Sequence, residues 1–211
     1  AAGLARDGVD CSSLCFTEAA PTPVVFTGAD GAAFPYCAHT AGLQFAPEQL
    51  NAALFREADA LCFSSAGLVD SPLRLTHLKT LAAARDAGAL CCYAPQMVQA
   101  APYWPSETAL RETALQFLPQ ADVLFLEAGD LAPLFGSREL RTALFPLFTG
   151  HVQLIFHASS DKVLTFTRNV IAQAAKKDQS PALVLHRLVE MGIGVSGLPK
   201  LKEKDLQALI D

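Results

Sequence analysis

Three short stretches hold most of the residues whose type and spacing could do chemistry. The first, Leu90 to Ser106, reads LCCYAPQMVQAAPYWPS, a buried strand running into a loop. Open parallel sheets bind ligands at such strand ends. This loop offers thiols, phenols, amides, an indole and a serine, but no charge, histidine or glycine. It is well placed for a ligand and poorly equipped to move a proton. The second stretch, VLFLEAGDL, sets Glu127 three residues before Asp130. Two such carboxylates can share a metal, although a solvated turn is the commoner use. The third, FHASSDK, brings His157 near Ser159 and Ser160. Side chains within three residues along a strand do not form a triad, so His157 is expected to be a hydrogen-bonded structural residue.

The remaining candidates are weaker. His39 and His77 read as surface histidines. Six cysteines, at 11, 15, 37, 62, 91 and 92, show neither Cys-x-x-Cys knuckles nor histidines at zinc spacing. They read as reduced thiols in an intracellular, reducing compartment, and no metal site is expected. Cys91 and Cys92 must point to opposite faces of their strand.

These stretches are positioned by a regular alternation of elements. AAGLARDG reads as a helix end stopped by Gly8, and Val24 to Tyr36 reads as two strands about a turn at Ala29, Asp30 and Gly31. From Pro47 the chain alternates. An amphipathic segment PEQLNAALFREA precedes a strand at Ala60–Ser64, a helix capped by Ser71 and stopped by Gly88, and a strand at Ala89–Tyr93. A helix opened by Ser106, a strand at Val123–Leu126, a helix over SRELRTALFPLF and a strand at Val152–His157 follow. Near-continuous apolar strands between helices predict a mainly parallel sheet covered on both faces. Beyond Ser160 the chain suggests one more strand, DKVLTFTRN, then VIAQAAKKDQ as a helix or solvated connection. A helix opened by Ser180-Pro181 and a terminal helix after KLKEKD complete it.

At 211 residues the chain can bury a sizeable core; 51% of its residues are hydrophobic and 18% charged, which argues against disorder. A net charge of −5 gives no electrostatic reason to expect nucleic acid as a partner. No apolar run approaches the roughly 18 residues of a membrane span, and the N-terminal residues lack the pattern of a signal peptide.

LARDGVDCSSL, EAAPTPVVFTGADG, FAPEQL, AARDAGALCCYAPQM, YWPSETALRE, LPQADVLFLEAGDLAPLFG and GLPKLKEKDLQALI, taken in order, resemble segments of the PfkB/ribokinase family of carbohydrate kinases, its fructokinase-like branch in particular. The resemblance implies a ribokinase-like three-layer α/β sandwich. It makes residues 1–211 a single domain, with a hairpin lid remnant at about 22–40 and a divergent part from about 161. It also implies ATP and magnesium as cofactors, with a Gly-Ala-Gly-Asp motif supplying an anion hole and a base. That motif is absent from the sequence: GADGA at Gly28 lies in the hairpin, and GIGVSG at Gly192 is followed by no aspartate. Where the family has Asp-Pro-Asn-x-Arg, this chain has Ala94, Pro95, Gln96, Met97 and Val98. Ala94, Gln96 and Val98 are therefore expected to be vestigial substrate-side positions. Glu127, Asp130 and Ser159 are vestigial on the nucleotide and metal side: Glu127 stands where an amide is expected, Phe125 where a lysine is common, and Ser159 where a glycine is.

Beside a binding module that keeps sugar or nucleotide affinity without turnover, two functions compete. One is a catalytically inactive protein without cofactors, acting as a subunit of a larger assembly with protein partners. Fructokinase-like subunits of the plastid RNA polymerase are a family precedent, which makes a plastid or another organelle a candidate location. Tyr93, Met97, Tyr103 and Trp104 are then expected at the partner contact. The other is an ATP-dependent sugar kinase represented by an incomplete sequence.

Overall fold

The computed structural model describes residues 2–30, 33–137, 145–148, 150–175 and 180–211. A short helix α1 (Ala2–Arg6) precedes β1 (Val24–Thr27) and β2 (Ala33–Tyr36), which pair antiparallel, Phe26 opposite Phe34, in a two-stranded sheet of their own. This is the expected hairpin. Val25, Phe26, Phe34 and Tyr36 are exposed on it, and the Phe26 and Tyr36 rings meet edge to face at 5.5 Å.

The main sheet has six strands in chain order: β3 (Ala60–Ser64), β4 (Leu90–Ala94), β5 (Val123–Glu127), β6 (Leu154–Ala158), β7 (Lys162–Phe166) and β8 (Ile171–Ala175). The first four are parallel; β7 and β8 extend the sheet antiparallel. Because the parallel strands succeed one another without a reversal, right-handed crossovers place their helices on one face. There α2 (Pro72–Asp86), α4 (Glu107–Phe117) and α5 (Ala128–Phe135) pack Leu81, Ala84, Leu110, Ala114, Leu131 and Leu134 against Cys91, Tyr93, Leu124 and Ile155. The opposite face, with Leu90, Cys92, Phe125 and Phe156, is covered by α6 (Pro181–Glu190) and α7 (Glu203–Ile210). A short helix α3 (Met97–Ala100) follows β4. The two adjacent cysteines fall on opposite faces, as strand geometry requires.

Several expectations need correction. Residues 47–58 form two 3₁₀ turns, Pro47–Gln49 and Ala52–Phe55, in place of one amphipathic helix, and the Asn51 side chain accepts from the Ala53 amide (3.1 Å) at the start of the second. VIAQAAKKDQ yields a strand: β8 pairs with β7 along its length, while Lys176–Gln179 lie outside the described residues. The helix expected over SRELRTALFPLF falls mostly on residues 138–144, also outside them; Phe145–Leu147 is a 3₁₀ turn. Ser71 does not cap α2 but donates to the Val69 carbonyl (3.0 Å), whereas Ser106 and Ser180 cap α4 and α6 as expected. Among the described residues no helix is long and apolar enough to cross a membrane.

Candidate functional site

The carboxyl ends of β4 and β5 and the loops that follow them form the candidate site. Beyond Ala94 the chain turns through Gln96, whose φ of 50° is in the left-handed region that few non-glycine residues occupy. The turn is held by Asp130 in the first turn of α5. One carboxylate oxygen accepts from the Met97 amide (2.7 Å) and the other from the Glu127 amide (2.8 Å). Asp130 is only 1% exposed, and burial pushes its carboxyl above the usual range while those two bonds pull against it. Both oxygens are thus engaged by backbone. Glu127 accepts from the Gln99 side-chain amide (3.4 Å), and its charge adds to the upward push on the Asp130 carboxyl. The expectation of Asp130 as a metal-side residue is corrected in this respect: it fastens two strand-end loops together.

A second knot lies one strand away. The Tyr93 hydroxyl and the Ser65 hydroxyl share a hydrogen bond (2.6 Å), and the Trp104 indole donates to the Ser65 carbonyl (3.0 Å). Tyr93 also stacks on Phe63, with centroids 4.8 Å apart. These contacts overturn part of the expected partner surface. Tyr93 is 0% exposed and Met97 3%, because both belong to the buried cluster that α3 and α4 form with this face of the sheet, so neither is available to a partner. Tyr103 and Trp104 are half-buried, and the residue that projects outward is Val98, 66% exposed. Ala94 is buried and offers no side-chain contact.

At the β6–β7 turn, Ser159 donates to the Asp161 carboxylate (2.8 Å) and accepts from the Lys162 amide (3.2 Å), so its hydroxyl closes the turn. His157, 6% exposed, has neither ring nitrogen hydrogen-bonded, contrary to expectation, and burial holds its pKa below the ordinary value. No cluster of three or more histidine, cysteine or acidic side chains suited to a metal occurs among the described residues.

Sequence reasoning passed over a concavity built from dispersed residues. A cleft of about 660 Å³ opens between Ala38 and His39 after the hairpin, the start of α2, the Pro102–Pro105 loop and α4. Asp70, Arg74 and Glu112 supply charges, His39, Gln44, Ser71 and Gln116 supply polar groups, and Tyr103 and Trp104 form an aromatic wall. These residues are scattered over 79 positions, from Ala38 to Gln116, so no local spacing announces them. A second cleft, with Val98, Glu107, Thr108 and Arg111 on its walls, lies between α3, α4 and α5.

A profile of the pfkB family carbohydrate kinases matches residues 1–180. The chain belongs to the pfkB carbohydrate kinase family. Within it, the chain is similar to the probable fructokinase-3 of Arabidopsis thaliana, 28% identical over 169 residues, covering 77% of this chain and 48% of that protein. It is also similar to fructokinase-1 of Zea mays, 31% identical over 140 residues, 64% of this chain and 43% of that one. The chain therefore spans about half the length of these pfkB relatives or less. The fold superposes on a fructokinase from Xylella fastidiosa with a TM-score of 0.82 at 20% identity, covering 99% of this chain and 69% of that one. It also superposes on a fructokinase with bound ATP from the same organism with a TM-score of 0.79 at 18% identity, covering 99% and 68%. These likenesses establish the ribokinase-like fold.

Proposed function

We propose that these 211 residues are part of a fructokinase-like sugar kinase and carry its sugar-side framework. The observation that supports this reading best is the cleft beside the hairpin. A polyol is recognised by several convergent hydrogen-bonding groups and an apolar wall, and the cleft offers Asp70, Arg74, Glu112 and His39 opposite Tyr103 and Trp104. Carboxylates there accept from sugar hydroxyls, Arg74 donates, and the aromatic rings cover the carbon face.

ATP with a divalent metal is the phosphoryl donor that the family implies. The described residues do not fit it: Asp130, the acid near Glu127, has both oxygens on backbone amides, Ser159 closes a turn, and no group of three or more histidine, cysteine or acidic side chains suited to a metal occurs among the described residues. On this reading the base and anion hole belong to residues of the polypeptide outside this sequence. The test has two parts. Calorimetry on the 211-residue chain should detect fructose binding that Trp104→Ala or Glu112→Ala weakens, and the polypeptide from which the sequence comes should release ADP from ATP in a fructose-dependent manner.

A second reading, an inactive subunit of an assembly, is favoured by Ala94 and Val98. They lie in a well-matched continuous segment, where missing pieces cannot account for the loss of charge. Fructose binding without fructose-dependent ADP release from the whole polypeptide would select it. Absence of both sugar binding and turnover would discard the kinase reading.

A further inference from the structure

β3 and β4 run parallel with Cys62 directly opposite Cys92. Residues paired in this way project from the same face, and a strand spacing of about 4.8 Å lies within the Cα separations of about 4.4–6.8 Å that disulfides span. β3 is an edge strand of the sheet and β4 an inner one; Cys62 is exposed while Cys92 is fully buried. Cys91 is packed on the other face and cannot compete for either. Only the Cys62 sulfur is open to a reagent from solvent, while Cys92 is enclosed behind it, so the outer sulfur is the one attacked first and the inner one is placed to follow. The interaction of the two thiols acts in the same sense, lowering the pKa of Cys62 against burial and raising that of Cys92.

We infer that Cys62 and Cys92 form an oxidation site, at which a hydroperoxide oxidises Cys62 and Cys92 resolves the product as a disulfide joining β3 to β4. In the first step the Cys62 thiolate attacks the peroxide. An S–O bond forms, the O–O bond breaks, sulfur is oxidised by two electrons to the sulfenic acid, and the alkoxide or hydroxide leaves as alcohol or water. In the second step the Cys92 sulfur attacks the Cys62 sulfur, the S–S bond forms, the S–O bond breaks, and hydroxide leaves with the Cys92 proton as water. Both cysteines lie two residues before their strand ends, at Ser64 and Ala94. The crosslink thus fixes the spacing of the two strands that carry the Ser65–Tyr93 knot. Nothing in this inference depends on the kinase reading.

The experiment treats the reduced 211-residue chain with hydrogen peroxide, alkylates the remaining thiols and maps peptides without reduction. A Cys62–Cys92 linked peptide is expected. Cys62→Ser removes an exposed side chain and should abolish that peptide while leaving the circular dichroism spectrum unchanged. Cys92→Ala should strand the sulfenic acid, so that dimedone labels Cys62 several-fold more than the exposed Cys15. Absence of the linked peptide from the unsubstituted chain overturns the inference, as does a Cys92 that in Cys62→Ser crosslinks just as readily to another cysteine. So does equal dimedone labelling of Cys62 and Cys15. If Cys92→Ala fails to fold, the comparison of the unsubstituted chain with Cys62→Ser decides alone.

Discussion

Replacing Asp130 by alanine tests the claim that this carboxylate is a fastener. Its oxygens accept from the Met97 and Glu127 amides at 2.7 and 2.8 Å, and alanine leaves both donors without these partners. A buried donor stripped of its acceptor costs about 1–3 kcal/mol. Against this, the carboxylate is itself unfavourable to bury, which is why its pKa is raised, and removing it returns part of that cost. The net expectation is a destabilisation of about 2–4 kcal/mol. With a urea slope of about 2 kcal/mol per molar, the unfolding midpoint falls by about 1–2 M. Asp130→Asn keeps one acceptor and should cost about half as much. It also has a pH signature. A carboxyl whose folded pKa lies above its unfolded value binds its proton more tightly in the native state, so stability falls as pH rises from near 3.8 through the folded pKa. Asp130→Asn removes this contribution and flattens the slope, leaving the contribution of Asp122, which has the same sign. A loss under about 0.5 kcal/mol for Asp130→Ala, or an unchanged slope in Asp130→Asn, would refute the reasoning.

Three further perturbations probe other parts of the molecule. Ser65→Ala and Tyr93→Phe should each cost about 1–2 kcal/mol, and the double variant less than their sum, since it leaves no unpaired hydroxyl; additive losses in denaturant melts would contradict the shared bond. Gly150→Ala should destabilise by at least about 2 kcal/mol, because φ is 58° and the new Cβ would sit 2.4 Å from the Pro119 carbonyl oxygen; an unshifted thermal midpoint would show that the turn relaxes freely. His157→Leu should stabilise by about 1 kcal/mol by removing an imidazole with no hydrogen-bonding partner. Its folded pKa is depressed, so as pH drops below 6.5 the unfolded chain takes up a proton that the native state does not, and the histidine costs the fold stability there. The gain should therefore be larger at pH 5 than at pH 8, and equal melts at the two values would count against it.

The sheet was legible because its strands are apolar without interruption: LCCYA and VLFLE are buried on both faces and leave no other reading. β8 was hidden because its buried positions are alanines. Ala172 and Ala174 face the core between Ile171, Gln173 and Ala175, but alanine suits a helix as well as it suits a pleat. Pro47 to Ala58 had helical periodicity and still broke into two turns, with the Asn51 side chain bound to local backbone in competition with the helix. The loop after β4 begins where the sequence puts it, but Tyr93 and Met97 are buried and not at a surface. Tyr93 and Met97 looked like an exposed patch because a strand end suggests solvent; their enclosure with Ala100, Leu110 and Ala114 is a tertiary fact. Asp130 looked like a metal side chain because its backbone partner at Met97 is 33 residues away. The cleft residues Asp70, Arg74 and Glu112 line one cavity although 42 positions separate the first from the last.

The arrangement of the helices about the sheet has a consequence for how the chain is made. One face is covered as each crossover helix follows its strand, so that half of the core assembles from near neighbours along the chain. The other face waits. Leu90, Cys92, Phe125 and Phe156 are covered by side chains from residues 184–210, so a nascent chain that has emerged only as far as β8 presents a bare apolar sheet. Such a surface is the kind that self-associates or recruits a chaperone. A fragment ending at Ala175 should accordingly bind a hydrophobic dye and aggregate, and adding residues 180–211 in trans should quench both.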